Sequence, residues 1–238
     1  IPEAKTWLSH QPYDVLERDI ALDPQTADWQ EPELAEKPFQ GFQAVGAGNR
    51  GLAFLSAGGL HEGGVQDDAR RTMQVTLLRS YRRTVGTTGE QDGLELGKRT
   101  YRYALMPFAG ELTRVEVLRE VSALQAGLMV RQTGPLPSGF PPMAGNLPPR
   151  MSYVEQERAT LVMSALKPAD DGSGLVVRLW NPSDRKQSDR LTFWQAPKRA
   201  RRLNLAEQPL EDGDVPVHGR TITVETGPKQ VVTVGLEF

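Results

Sequence analysis

Between Thr133 and Arg150 the chain reads TGPLPSGFPPMAGNLPPR, six prolines and three glycines in eighteen residues. Proline removes a backbone donor and fixes φ, so neither a helix interior nor a central strand survives that density. The segment is therefore read as a linker, 133–150. It divides the chain into a larger part, residues 1–132, and a smaller part, residues 151–238.

Both parts carry strand patterning. In the larger one, FQAVGAGNRGLAFLS (42–56) places two apolar runs around a turn of residues that tolerate positive φ, which predicts a hairpin. TMQVTLLRSYRRTV alternates Met73, Val75 and Leu77 against Thr72, Gln74 and Thr76, and RTYRYALMPFAG does the same with Tyr101, Tyr103 and Leu105. Each is expected to be a strand with one buried face. The polar, Gly-rich GTTGEQDGLELGK between them is read as a surface loop.

ELTRVEVLREVSALQAG is the one predicted helix, with Leu112, Val115, Leu118, Val121 and Leu124 drifting round one face and Gly127 as its stop. A strand over RVEVLREV is the alternative. The first 38 residues, rich in Pro, Asp, Glu and Gln, are read as extended or irregular chain lying on something else. After the linker, ATLVMSALKPA, the turn DDGSG, LVVRLWNPS and RTITVETGPKQVVTVGLEF give the short, turn-separated alternation of a small sandwich.

Composition excludes several functions. A formal net charge of -2 supplies no positive field for nucleic acid or anionic membrane. The basic runs YRRT and KRARR lack interleaved aromatics and are read as solvated strand faces. No apolar run reaches the roughly 20 residues of a membrane helix. With no cysteine there is no disulfide framework and no thiolate chemistry, which fits a reducing compartment and favours a cytoplasmic one. The first residues show no signal-peptide pattern and no initiator Met, so the chain is expected to be a piece of something longer.

The densest ionisable cluster is GGLHEGGVQDD, which gathers His61, Glu62, Asp67 and Asp68. A retaining glycosidase needs two carboxyl groups about 5–5.5 Å apart, so Glu62 with Asp67 or Asp68 is the one candidate acid pair. Strand geometry opposes it, because His61 and Glu62 point to opposite faces unless Gly63-Gly64 bends the chain. The alternatives are a carbohydrate-contacting role for the four side chains and a plain polar connector, with Arg70, Arg71, Arg82 and Arg83 available to pair with the aspartates. His10, His61 and His218 are far apart in sequence and show no metal-ligand spacing. Trp180 in RLWNPSD is read as core, and Trp194 in LTFWQAP as a possible sugar platform.

Four stretches in a fixed order resemble the C-terminal β region of glycoside hydrolase family 38, the α-mannosidases, in their bacterial branch. They are RGLAFLSAGGLHEGGVQDD, MQVTLLRSYRRT, RTYRYALMPFAGE and LVMSALKPADDGSGLVVRLWNPSDRKQSDRLTF. Gly63-Gly64 stands where the family usually has an aromatic–acidic pair. The resemblance implies an all-β architecture: part of a large sandwich of the supersandwich, galactose mutarotase-like kind, then a small sandwich, with at most one short helix. It also implies a non-catalytic role.

The catalytic barrel, the helical domain, the Asp nucleophile and the zinc ligands of the family would then lie upstream in the same polypeptide. No catalytic residue, metal or cofactor is expected in this chain. The implied partners are those upstream domains, the α-mannoside substrate and, in a homo-oligomer, a second copy of the chain, with neither nucleic acid nor membrane. Two rivals remain: a free-standing carbohydrate-binding module, and an autonomous glycosidase using Glu62 and Asp67 or Asp68.

Overall fold

A computed structural model describes residues 1–83, 92–130 and 148–238. The linker read at 133–150 lies outside these residues except for its last three, and the predicted loop 86–98 is described only from residue 92. Two compact units divide after the helix, Ile1–Ala126 and Gly127–Phe238.

The first unit contains β1 (Thr6–Gln11), β2 (Asp14–Asp19), β3 (Lys37–Pro38), β4 (Phe42–Ala47), β5 (Arg50–Ser56), β6 (Glu62–Val65), β7 (Met73–Val75), β8 (Tyr103–Phe108) and α1 (Arg114–Ala126). Five strands form a sheet in the order β2-β1-β4-β5-β8 and three form another in the order β3-β6-β7. The hairpin expected at 42–56 is β4–β5, with Ala47 opposite Arg50 and a two-residue turn whose first residue, Gly48, takes φ +60.

One face of the five-stranded sheet, with Trp7, Val45 and Phe54, packs on the short sheet through Phe39, Leu60, Val65 and Met73. The other face, with Phe42, Ala44, Ala53 and Leu55, lies under α1, whose Val121 is a neighbour of both His10 and Gly41. α1 buries Val115, Val117, Leu118 and Val121, and Gly127 follows at φ +63, so the helical reading of this stretch holds and the strand alternative does not.

Three expectations are corrected. Residues 1–38 are not irregular throughout, because β1 and β2 pair in full register around Pro12-Tyr13. The strand read over 72–85 covers only Met73–Val75 among the described residues, and Leu77 is 53% exposed. Tyr103 and Leu105 do lie on the inner face, opposite Ser56 and Phe54, but remain 55% and 58% exposed. Among the described residues, the cluster built on Phe39, Phe54 and Leu60 gathers Met73, Val75 and Tyr101 but neither Tyr103 nor Leu105.

The second unit contains β9 (Val154–Gln156), β10 (Val162–Pro168), β11 (Leu175–Trp180), β12 (Gln187–Phe193), β13 (Arg199–Leu203), β14 (Pro209–Val215), β15 (Val217–His218), β16 (Thr221–Thr226) and β17 (Val231–Glu237). Sheets β10-β11-β17-β13-β14 and β15-β16-β12-β9 enclose one core built on Val177, Leu179, Leu191, Phe193, Ile222 and Val234. This is the expected small sandwich. The KRARR run is strand β13, with Ala200 buried and Arg199 and Arg201 reaching Asp214 on the solvent side.

The connections of this sandwich are held by two buried polar side chains. Asn181, fully buried after β11, donates to the carbonyls of Arg185 and Gly227 at 2.7 Å each and accepts from the Ser183 N–H at 3.0 Å. Asp189 accepts from the N–H groups of Arg158 and Thr160 at 3.0 and 2.9 Å and from Gln156 Nε2 at 3.2 Å. A buried polar group costs free energy unless its hydrogen bonds are made, and both side chains meet that condition.

Candidate functional site

The four clustered ionisable residues sit at the two ends of β6. His61 is exposed at its start, and its carbonyl accepts from the Phe39 N–H at 2.7 Å. Glu62 begins the strand. Asp67 and Asp68 follow its far end, and three strand steps alone separate Glu62 from Val65 by roughly 10 Å.

The carboxylates enter two separate networks. Arg79 donates through Nε to Glu62 at 3.0 Å and through Nη2 to Glu36 at 2.6 Å. Glu36 also accepts from the Thr76 hydroxyl. The two carboxylates raise the Arg79 pKa above its ordinary value, the Glu62 hydrogen bond being the larger cause. This strap joins the residue before β3, the first residue of β6 and the chain after β7.

Asp67 instead pairs with Arg71, and Asp68 closes the β6–β7 turn. Asp68 accepts from the Thr72 hydroxyl at 2.6 Å and from the N–H groups of Arg70 and Thr72 at 3.0 Å each. Those hydrogen bonds, Thr72 first, hold the Asp68 carboxyl below the usual range. Glu62 therefore meets Glu36 and Arg79, while the two aspartates meet their own turn. Glu36 and Arg79 were not legible as its partners, being 26 and 17 residues away in sequence.

Gly63 and Gly64 have a packing reason. A Cβ at Gly63 would stand 2.6 Å from the Gln74 carbonyl oxygen and 2.7 Å from Gln43 Oε1, and one at Gly64 would collide with the Ala35 carbonyl. The close approach of β7 and of the chain before β3 excludes a side chain at either position.

The tryptophans separate as the sequence suggests for one of them. Trp180 is 3% exposed and belongs to the core. Trp194 is half-buried, its ring 4.4 Å from Phe238 and 5.4 Å from Tyr153, which makes it part of an aromatic cluster. Among the described residues no three His, Asp or Glu side chains converge as a metal-binding group.

Comparison with known proteins places this geometry in context. A family model described as Glycosyl hydrolases family 38 C-terminal beta sandwich domain matches residues 160–234. A putative mannosylglycerate hydrolase of Halalkalibacterium halodurans is 25% identical over 233 residues, which is 94% of this chain and 23% of that protein. The crystal structure of an alpha-mannosidase from Enterococcus faecalis V583 superposes with a TM-score of 0.76 at 21% identity, over 98% of this chain and 24% of its own. A second Enterococcus faecalis structure, of a protein in glycosyl hydrolase family 38, gives 0.73 at 21% identity over 98% and 25%. The chain thus spans about a quarter of the length of the relatives it matches. Residues 160–234 are thus similar to the C-terminal beta sandwich domain of glycosyl hydrolases family 38, and the fold of nearly the whole chain is similar to about a quarter of each solved structure.

Proposed function

We propose that this chain is the non-catalytic C-terminal β portion of a retaining, zinc-dependent α-mannosidase. It completes the enzyme's fold and walls its cleft, while the hydrolysis of terminal α-mannosides is carried out by a barrel and a helical domain upstream in the same polypeptide. The zinc, bound there, would grip sugar hydroxyls.

The observation that carries the reading is the Arg79 strap. Arg79 holds Glu62 against Glu36 while Asp67 and Asp68 are engaged in their own turn, so Glu62 is not presented together with Asp67 or Asp68 as a facing acid pair. The likeness to one quarter of an alpha-mannosidase agrees with it. So does the inner face at β8, where Tyr103 and Leu105 are exposed among the described residues: neighbouring exposed apolar side chains on an edge strand are a surface that further polypeptide can cover.

The test replaces Tyr103 and Leu105 by Glu in the intact polypeptide. Both side chains are more than half exposed in this chain, although Tyr103 stacks on Phe54, and the reading expects loss of mannosidase activity or of soluble enzyme beyond that of a Tyr103→Leu control. Full activity and unchanged stability of the double variant would remove the proposed contact.

A further inference from the structure

The free edge of β8 is unlike the other sheet edges among the described residues. A row of unbonded N–H and C=O groups invites pairing with further chain, and sheets blunt such edges with charge, proline, bulges or shortness. Four of the six residues of β2 are charged, β10 has a register shift between Met163 and Ala165 and ends in Lys167-Pro168, and β14 carries Glu211, Asp212 and Asp214. β3, β7, β9 and β15 have two or three residues each. β8 reads YALMPF in unbroken register with β5, with no charged residue and its one proline second from the end.

Two hydrogen bonds fix which backbone groups face that edge. The Ser56 N–H donates to the Gly41 carbonyl at 2.8 Å, and the Ala57 N–H donates to the Arg102 carbonyl at 3.0 Å. Successive residues of a central strand turn their backbone groups to alternate neighbours, so the even-numbered residues of β5 bond β4 and the odd-numbered ones bond β8. Their partners on β8 are Ala104, Met106 and Phe108. Tyr103, Leu105 and Pro107 therefore present their backbone groups outward, and no hydrogen bond reaches those groups among the described residues. Pro107 fits this phase, because a proline is tolerated in a sheet where its missing N–H would face the open edge.

The same three positions specify the partner. Its backbone meets N–H groups at Tyr103 and Leu105, about 7 Å apart, and carbonyls at Tyr103, Leu105 and Pro107. The side chains of Tyr103 and Leu105 are more than half exposed on one face, so the partner carries apolar side chains at alternate positions on that face. Pairing stops where Pro107 offers no donor, which keeps the contact short. So short an edge falls well below the roughly 1,000 Å² that two separate molecules need to stay together, whereas a strand of the same polypeptide is held there by the chain itself. We infer that β8 pairs, backbone to backbone, with a strand of the polypeptide upstream of Ile1, which adds one strand to the five-stranded sheet. The existence of that upstream polypeptide rests on the mannosidase reading.

The experiment measures amide hydrogen exchange of the intact polypeptide, resolved to single residues of β8 by mass spectrometry with electron-transfer fragmentation. The expected result is that the Tyr103 and Leu105 amides exchange about 100-fold or more slowly than in unstructured chain, as Ala104 and Met106 do. A second sample carries the photo-reactive p-benzoylphenylalanine in place of Tyr103, and its cross-link is expected on a residue upstream of Ile1 in the same molecule. Free exchange at Tyr103 and Leu105 beside protected Ala104 and Met106 would overturn the inference, and so would a cross-link within residues 1–238 or to a second molecule. The two readings fail separately. An intact polypeptide that hydrolyses an aryl α-mannoside while Tyr103 and Leu105 exchange freely loses only the pairing at β8; one that gives the upstream cross-link without turnover loses only the mannosidase reading.

Discussion

One guanidinium fixes the position of one carboxylate: Arg79 Nη2 stands 2.8 Å from Glu62 Oε2, and Nε donates to the same oxygen at 3.0 Å. That pairing links the start of β6 to chain 17 residues further on. It uses the side chain that an autonomous hydrolase would need as its acid. Glu62→Gln in the intact polypeptide is therefore expected to leave kcat for an aryl α-mannoside within about twofold, against the roughly 100-fold or more that loss of a general acid or base costs. Steady-state turnover of the variant checks this.

Acid weakens the first unit through His10. Its ring stacks on Phe42 with centroids 5.6 Å apart, and burial pushes its pKa down from 6.5 to about 4. The folded state thus keeps His10 neutral in a range where the unfolded chain protonates it. Stability is full above about pH 6.5 and falls as pH drops toward about 4, by on the order of 1–2 kcal/mol once partial solvent access is allowed for. Urea unfolding at pH 7 and pH 5 measures the loss, and His10→Gln is expected to remove most of the difference.

Gly41 marks the closest approach of α1 to the sheet. A Cβ there would lie 2.6 Å from His10 Nδ1 and 2.7 Å from Val121 Cγ1, both held in packed surroundings. Gly41→Ala is expected to lower stability by about 1–3 kcal/mol through overpacking. Gly48→Ala tests a different cause: at φ +60 with open space around it, the cost of about 1–2 kcal/mol is backbone strain alone. Denaturant midpoints of both variants separate the two effects from the parent.

In the second unit, Asp189 is 1% exposed and satisfies three donors from the β9–β10 region. Asp189→Ala leaves those donors buried without an acceptor and is expected to cost about 3 kcal/mol or more. Asp189→Asn retains one acceptor oxygen and should lose less. Thermal unfolding of the two variants gives the order.

Legibility in the sequence followed the locality of the cause. The β4–β5 hairpin was readable because its turn needs positive φ at Gly48, and α1 because its buried residues recur on one helical face. The β1–β2 hairpin was not, since it turns through Tyr13 at φ 55 without a glycine and carries few buried apolar residues beyond Trp7 and Val15. Periodicity placed Tyr103 and Leu105 on the correct face of β8, but cannot tell that both remain more than half exposed there. At the acid cluster, chain spacing alone argued against joining His61 and Glu62. The partners that decide the matter, Glu36 just before β3 and Arg79 beyond β7, are brought together by the sheet order β3-β6-β7.

The most direct measurement is hydrolysis of an aryl α-mannoside by the purified 238-residue chain, with zinc supplied. The account predicts no turnover above buffer, alongside turnover by the intact polypeptide under the same conditions. Cleavage by the isolated chain that disappears in Glu62→Gln would contradict it.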